Sequence, residues 1–384
     1  MTESQEHALL RETVRDFFAR ELPEEKVREY DQARKFPHSL WERFAELGWM
    51  ALPVSEEHGG EGGDVATAAI LTEEMGRHFA SIAVDWVLVS MSARLLEEVG
   101  TPEQQAHYLP EIAKGTYIMS FGMSEPDGGT DVLQLKTTAE QTNDGEWSVN
   151  GQKLYTSMAD AANAILVLAR TDPPEGKKRA RGLSLVLTPR EQPAISVRRL
   201  ELMGMRAAGT CEVFFDDARA PIDAIIGQRG RGFYHLIATL DNERILAAAI
   251  SLGIAAAALD EALRYAKDRT AFGRPIGGFQ ALQHMLADTA TEVEQARLIL
   301  AKAAAMQSRG EECSTEAAMA KLSCTEAAVR ATDRGMRILA GYGMVEESPM
   351  ERLFRDARLG PFSPISNEMT KNFIGERLGL PKSY

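Results

Sequence analysis

Phe121-Gly122-Met123-Ser124-Glu125-Pro126-Asp127-Gly128-Gly129-Thr130-Asp131-Val132 is the stretch at which the chain changes character. Its Pro and paired Gly read as a tight turn after a strand end. A glycine-rich turn carrying Ser and Thr hydroxyls also offers backbone N–H groups to a flat, polar or phosphorylated ligand. On its N-terminal side the punctuation is helical. Leu9, Leu10, Val14, Phe17 and Phe18 form one apolar face. Ser39 with Glu42 reads as a capping box opening SLWERFAEL (39–47), which Gly48 stops. Thr101, Pro102 and Gln104 repeat the start signal, and Gly115 repeats the stop.

On its C-terminal side, short β-type runs extend to about residue 225. Asn143-Asp144-Gly145 is a turn leading into EWSVNG (146–151). AILVLAR (164–170) and LSLVLT (183–188) read as buried strands, and CEVFFDDARAP (211–221) alternates before a Pro stop. TDPPEGKKRAR (171–181) reads as a solvated loop. From about Gly230 the helical period returns in three long Ala-rich stretches, 240–269, 281–307 and 315–339, suited to an antiparallel bundle. The predicted organisation is α+β: an N-terminal α-helical domain over 1–115, a middle β-barrel or sandwich domain over 116–225, and a C-terminal four-helix bundle over 226–384.

A chain of 384 residues exceeds the size at which one core stops growing, in keeping with more than one domain. With 43 Lys and Arg against 56 Asp and Glu, the net charge of -13 argues against a nucleic-acid partner. The apolar run between Arg244 and Asp260 falls short of the ~18 residues of a spanning helix, so no membrane span is expected. MTESQEHALLRE has neither a basic nor an apolar leader region, which predicts a cytoplasmic protein. Cys211, Cys313 and Cys324 lack paired spacing and read as buried thiols, and the 7 His form no metal-binding pattern. No metal is expected.

Residues 121–132 closely resemble the M-T-E-P-x-A-G-S-D signature of the acyl-CoA dehydrogenase flavoproteins, and four further resemblances follow in order. GQKLYTS (151–157) resembles the family's G-x-K-x-W-I-T-N strand, and DRTAFGRPIGGFQ (268–280) its E-R-x-x-F-G junction. RILAGYGM (337–344) is similar to Q-x-x-G-G-x-G-Y, and ERLFRDARL (351–359) to the R-D-A-K segment. The resemblance implies non-covalent FAD, commonly in a homotetramer. It would set Phe121, Met123, Ser124 and Thr130 against the flavin ring, with Tyr155 in place of the usual ring-packing Trp, Ser157 in place of a Thr bonding flavin N5, and Thr156 between them at the cofactor. Arg269, Phe272 and Gln280, with Arg337, Ile338 and Gly341 from a neighbouring subunit, would hold the pyrophosphate and adenosine. Ser366 and Glu368 would also contact the cofactor. Arg337 and Ala340 depart from the family's Gln and Gly, although an Arg can still bond a pyrophosphate.

Removing hydrogen from Cα and Cβ of a thioester requires a carboxylate for the α-proton and a flavin for the β-hydride. Many family members carry that Glu in a C-terminal Y-E-G-T loop, where this chain has Pro364. The isovaleryl and long-chain branches place it in a central helix, within an E-R pair that here reads Glu243-Arg244. Glu243 is the expected base, with Thr130, Asp241, Arg244 and Ile365 as expected substrate contacts. Pro364 also lacks the backbone N–H that the family uses on the thioester carbonyl, leaving Ile365 as a displaced donor. The implied activity is FAD-dependent dehydrogenation of an acyl-CoA thioester, with electrons passed to an electron-transfer flavoprotein. GMRAAGTCEVFF (204–215) also resembles a crotonobetainyl-CoA reductase branch. An enoyl-thioester reductase, an enzyme of carrier-protein-bound acyl groups, and a catalytically silent flavin or thioester binder are the alternatives.

Overall fold

The computed structural model describes residues 4–176 and 178–382. Residues 1–3, to which part of the N-terminal reading MTESQEHALLRE applies, residue 177 of the loop read as solvated, and residues 383–384 lie outside the described residues.

The first third folds into helices α1 (Gln5–Glu21), α2 (Glu24–Ala33), α3 (His38–Glu46), α4 (Val65–Val99) and α5 (Pro102–Ala113). In α1, Val14, Phe17 and Phe18 face the core, where Phe17 and Phe18 pack on Phe44 and Trp49. Leu9, expected on the same face, is 64% exposed: at about 100° per residue it lies off the stripe of Val14 and Phe18, while Leu10 packs against the core. The Ser39 capping box does not form. Pro37 is the N-cap, with no side-chain cap bond, and the Ser39 hydroxyl instead meets Tyr30 Oη at 3.0 Å. Proline at the entry already presets the backbone for a helix start. The box at Thr101 and Gln104 does form, in both directions, at 3.3 and 3.0 Å.

Strands β1 (Met119–Gly122), β2 (Thr138–Gln141), β3 (Trp147–Thr156), β4 (Ala164–Arg170), β5 (Leu183–Pro189), β6 (Ile195–Arg199), β7 (Cys211–Ala220) and β8 (Ile225–Ile226) make one eight-stranded sheet. The order is β6-β7-β3-β2-β4-β5-β8, and β1 pairs in parallel with β4. The Asn143-Asp144-Gly145 turn joins the antiparallel strands β2 and β3. β4 shows why its run is uninterrupted. Ile165, Val167 and Ala169 point into the sheet's own core beside Val149, Val186 and Phe215, while Leu166 and Leu168 join the helical core. Both faces are covered, so both sets must be apolar.

Helix α6 (Gly232–Asp268) leads through the small hairpin of β9 (Thr270–Ala271) and β10 (Arg274–Pro275) to α7 (Gln280–Ser308) and α8 (Ser314–Leu339). Two short helices follow, α9 (Pro349–Asp356) and α10 (Asn367–Arg377). α4 lies along α6 with backbone nearly touching backbone. A Cβ on Gly76 would stand 2.6 Å from the Ile250 carbonyl oxygen, and one on Gly253 would collide with the Glu73 carbonyl.

Against the expectation of no span, α4 and α6 are each long and apolar enough to cross a membrane, by length and composition alone. Both are mostly buried inside the protein. The carboxylates of α4 are met internally: Glu74 by Arg11 and Arg15, and Glu73 by Arg11 and Arg297. The three cysteines are buried free thiols.

Candidate active site

Three walls enclose an apolar cavity of about 70 Å³. Val84, Val87, Leu88 and Met91 come from α4, and Glu243, Ala247, Ile250, Ser251 and Ile254 from α6. The third wall is Asp356, Leu359, Gly360, Ser363 and Pro364, with Met205 reaching in from the β domain. On α6 the lining positions recur at intervals of three and four, the spacing of a single helix face.

Glu243 is half-buried, and no described residue forms an ion pair or hydrogen bond with its carboxylate. Burial pushes its pKa up to about 7, and the adjacent Arg244 only partly opposes this. A carboxyl in apolar surroundings holds its proton more tightly because the charged form is poorly solvated. Arg244 itself is turned away. Its guanidinium is buried against Asp241 at 3.0 Å and over the ring of Phe373 at 4.7 Å, and Asp241 also accepts from the Ser314 hydroxyl. Asp241 and Arg244, expected at the substrate, thus tie α6 to α8 and α10, and neither lines the cavity. Ile365 stands just beyond the lining, and Thr130 is exposed on the turn after β1.

That turn is built on a buried ion pair. Lys153 is fully buried on β3 and donates to Glu125 Oε1 at 2.8 Å and to the Met123 carbonyl at 3.1 Å. Glu125 also accepts the backbone N–H groups of Lys136 at 2.6 Å and Thr137 at 3.0 Å. Burial lowers the Lys153 pKa to about 8 against the pull of Glu125. Phe121 is buried in β1, and Met123 and Ser124 are half-buried on the pinned turn. The Ser124 carbonyl accepts from the Leu154 N–H at 2.8 Å, bringing the turn beside the Tyr155 segment.

Tyr155 has φ of 59° and is 62% exposed. Its neighbour Thr156 buries a hydroxyl with no partner among the described residues. The Ser157 hydroxyl meets Thr210 at 3.3 Å, and Met158 N–H donates to the Ala208 carbonyl at 3.1 Å. From there Met205, whose N–H donates to Asp356 at 2.6 Å, reaches the cavity. A presented aromatic ring, hydroxyls along one edge and an orphaned buried oxygen fit a flat ligand with polar edges, such as a flavin.

A second group of expected cofactor residues lies apart from the cavity. Arg269, Phe272 and Gln280 surround the β9–β10 hairpin, where Phe272 is 94% exposed with φ of 52°. Tyr342 stacks on Tyr265 at 5.4 Å, which places the end of α8 beside the end of α6. There Arg337 is exposed and paired with Asp333 at 2.9 Å, Ile338 is buried, and Gly341 is open. Ser366 caps α10 by accepting the Met369 N–H, and Glu368 is exposed in its first turn.

Sequence reasoning passed over Asp356, Lys153 and Lys321. Asp356 is fully buried at the cavity, and burial raises its pKa to about 6. Lys321 carries a visible signal, because it is a charged residue on a helix face otherwise made of small residues, Ala317, Ala320, Cys324, Thr325 and Ala328.

Comparison with known proteins covers nearly the whole chain. Family models match in order: the acyl-CoA dehydrogenase N-terminal domain over residues 4–116, the middle domain over 120–218 and the C-terminal domain over 230–379. The chain is 36% identical to the probable acyl-CoA dehydrogenase YngJ of Bacillus subtilis, over 98% of each chain. It is 38% identical to the mitochondrial short-chain specific acyl-CoA dehydrogenase of Bos taurus, over 98% of this chain and 90% of that one. The solved structure of butyryl-CoA dehydrogenase from Megasphaera elsdenii superposes with a TM-score of 0.93 at 30% identity, covering 99% of this chain and all of that one.

Proposed function

Because the chain belongs to the acyl-CoA dehydrogenase family, we propose that Glu243 is the base of its reaction, the FAD-dependent α,β-dehydrogenation of an acyl-CoA thioester. The observation that carries this is a carboxylate with no bonding partner among the described residues on the wall of a largely apolar cavity, held near neutral pKa, with Pro364 on the facing loop. When bound, the flavin supplies the acceptor for the β-hydride. Glu243 takes the α-proton onto its carboxylate, and the apolar walls keep water from competing for it. The Lys153–Glu125 pair holds the turn that carries Met123 and Ser124, and Tyr155 and Ser157 present a ring face and a hydroxyl to the same cofactor.

A water-sized group needs ~10–15 Å³, so a cavity of about 70 Å³ suits a short acyl chain. Mixing the oxidised holoprotein anaerobically with a series of acyl-CoA thioesters is expected to bleach the flavin fastest with short chains and progressively more slowly with long ones. Spectral perturbation without bleaching across the whole series would contradict a dehydrogenase.

A general base works only when ionised. For the free enzyme, kcat/KM is therefore expected to rise as pH passes through about 7, where Glu243 loses its proton, and to level off above it. A flat profile between pH 5.5 and 8.5 would place the titrating base elsewhere.

Electrons are proposed to leave for an electron-transfer flavoprotein. The exposed Phe272, together with Tyr342 and Met344 near the ends of α6 and α8, supports assembly into a homo-oligomer in which a neighbour's Arg337 segment completes the cofactor site. The purified protein is expected to be yellow and oligomeric by light scattering. An FAD-saturated monomer would remove the shared-site reading.

A further inference from the structure

Lys321 is fully buried on α8, and its acceptors are neutral: the Ile365 carbonyl at 2.6 Å and Asn367 Oδ1 at 2.8 Å. Burying an ammonium is costly unless its protons are used, and here they are spent on one turn. Burial lowers the pKa of Lys321 to about 8, with Glu368 and Glu326 pulling it up and Arg244 pushing it further down. Asn367 is gripped further by the Thr325 hydroxyl at 3.2 Å, donates to Glu326 at 3.1 Å, and closes the turn through its N–H to the Pro361 carbonyl at 2.7 Å. The other side of that turn presents Gly360, Ser363 and Pro364 to the cavity that Glu243 lines.

Pro364 has no N–H. The N–H groups of Ile365 and Ser366 have no protein acceptor among the described residues. A trans peptide points its N–H opposite to its C=O. With the Ile365 carbonyl on Lys321, the Ser366 N–H points away from α8, which contributes no residue to the cavity. A cation on the carbonyl oxygen also polarises the peptide and strengthens its N–H as a donor.

We propose that Lys321 is a positioning residue for the dehydrogenation: by holding the Ile365 carbonyl and the Asn367 amide, it sets the backbone after Pro364 so that free N–H groups there polarise the thioester carbonyl. This rests on the reading of the Glu243 cavity as the reaction site. The test uses holoprotein carrying Glu243→Gln, in which turnover is blocked, loaded with carbonyl-labelled butyryl-CoA and observed by infrared difference spectroscopy. The bound carbonyl stretch is expected below its value in water, and adding Lys321→Met is expected to return it toward that value at equal FAD content. Asn367→Ala in the same background gives the same direction of change and serves if Lys321→Met does not fold. In the otherwise wild-type chain, Lys321→Met is expected to lower the limiting rate of flavin reduction by up to ~10²-fold, the lower end of what one oxyanion donor is worth. The half-saturating thioester concentration should stay unchanged. A carbonyl stretch that is not lowered by binding, or is the same with and without Lys321, overturns the proposal. Wild-type turnover by Glu243→Gln would instead overturn the assignment of the base, which the same samples reveal separately.

Discussion

Glu243→Gln holoprotein is expected to keep its FAD and its thioester affinity while its limiting rate of flavin reduction falls by about 10²–10⁴-fold, the range that a positioned general base contributes. The amide nearly matches the carboxylate in shape and cannot take a proton near neutral pH. No second change is expected from the substitution, because no described residue is bonded to the Glu243 carboxylate. Asp356 is the other carboxyl on the cavity wall, but it is engaged by the Met205 N–H and anchors the β domain. Stopped-flow bleaching under anaerobic conditions checks this directly, and a wild-type rate in the variant would move the base to another group.

Lys153→Met is expected to destabilise the β domain by ~3–5 kcal/mol, the usual cost of leaving one member of a buried ion pair without its partner. Glu125 would remain 7% exposed with only backbone N–H groups to satisfy it. The same turn carries Met123 and Ser124, so FAD should also dissociate more readily. Exchanging both members for apolar residues, Glu125→Leu with Lys153→Met, should recover much of the loss, because no buried charge then remains. Denaturant unfolding followed alongside FAD fluorescence distinguishes the two variants. If Lys153→Met unfolds at the wild-type denaturant concentration, the pair does not hold the turn.

The architecture was readable where local signals and tertiary demands agree. AILVLAR is uninterrupted because both faces of β4 are covered, and the Thr101 box formed because nothing competed with it. Ser39 is not a cap because Pro37, two residues earlier, already starts the helix. The apolar face of α1 is legible apart from Leu9, which lies at the edge of the stripe that Leu10, Val14, Phe17 and Phe18 turn to the core. At the site, Glu243 and Pro364 were singled out from the sequence, and the fold brings both to one cavity. The orientation of Arg244 could not be read, since a helix presents Arg and Glu on adjacent positions to different neighbours. Nor could the part played by Lys153 or Lys321, because Lys153 is partnered with a residue 28 positions away and Lys321 with one 44 positions away.

The close approach of α4 and α6 at Gly76 and Gly253 has a bearing on how such a site can diversify. The helix bearing the base and the helix forming the opposite wall are spaced by main chain resting on main chain, so their separation does not depend on the side chains that face the acyl group. Val84, Val87, Leu88 and Ile250 are therefore free to vary in bulk, retuning how deep a substrate may reach, while the gap across which Glu243 works stays constant. Substrate range and reactive geometry become separately heritable traits of a single helix pair.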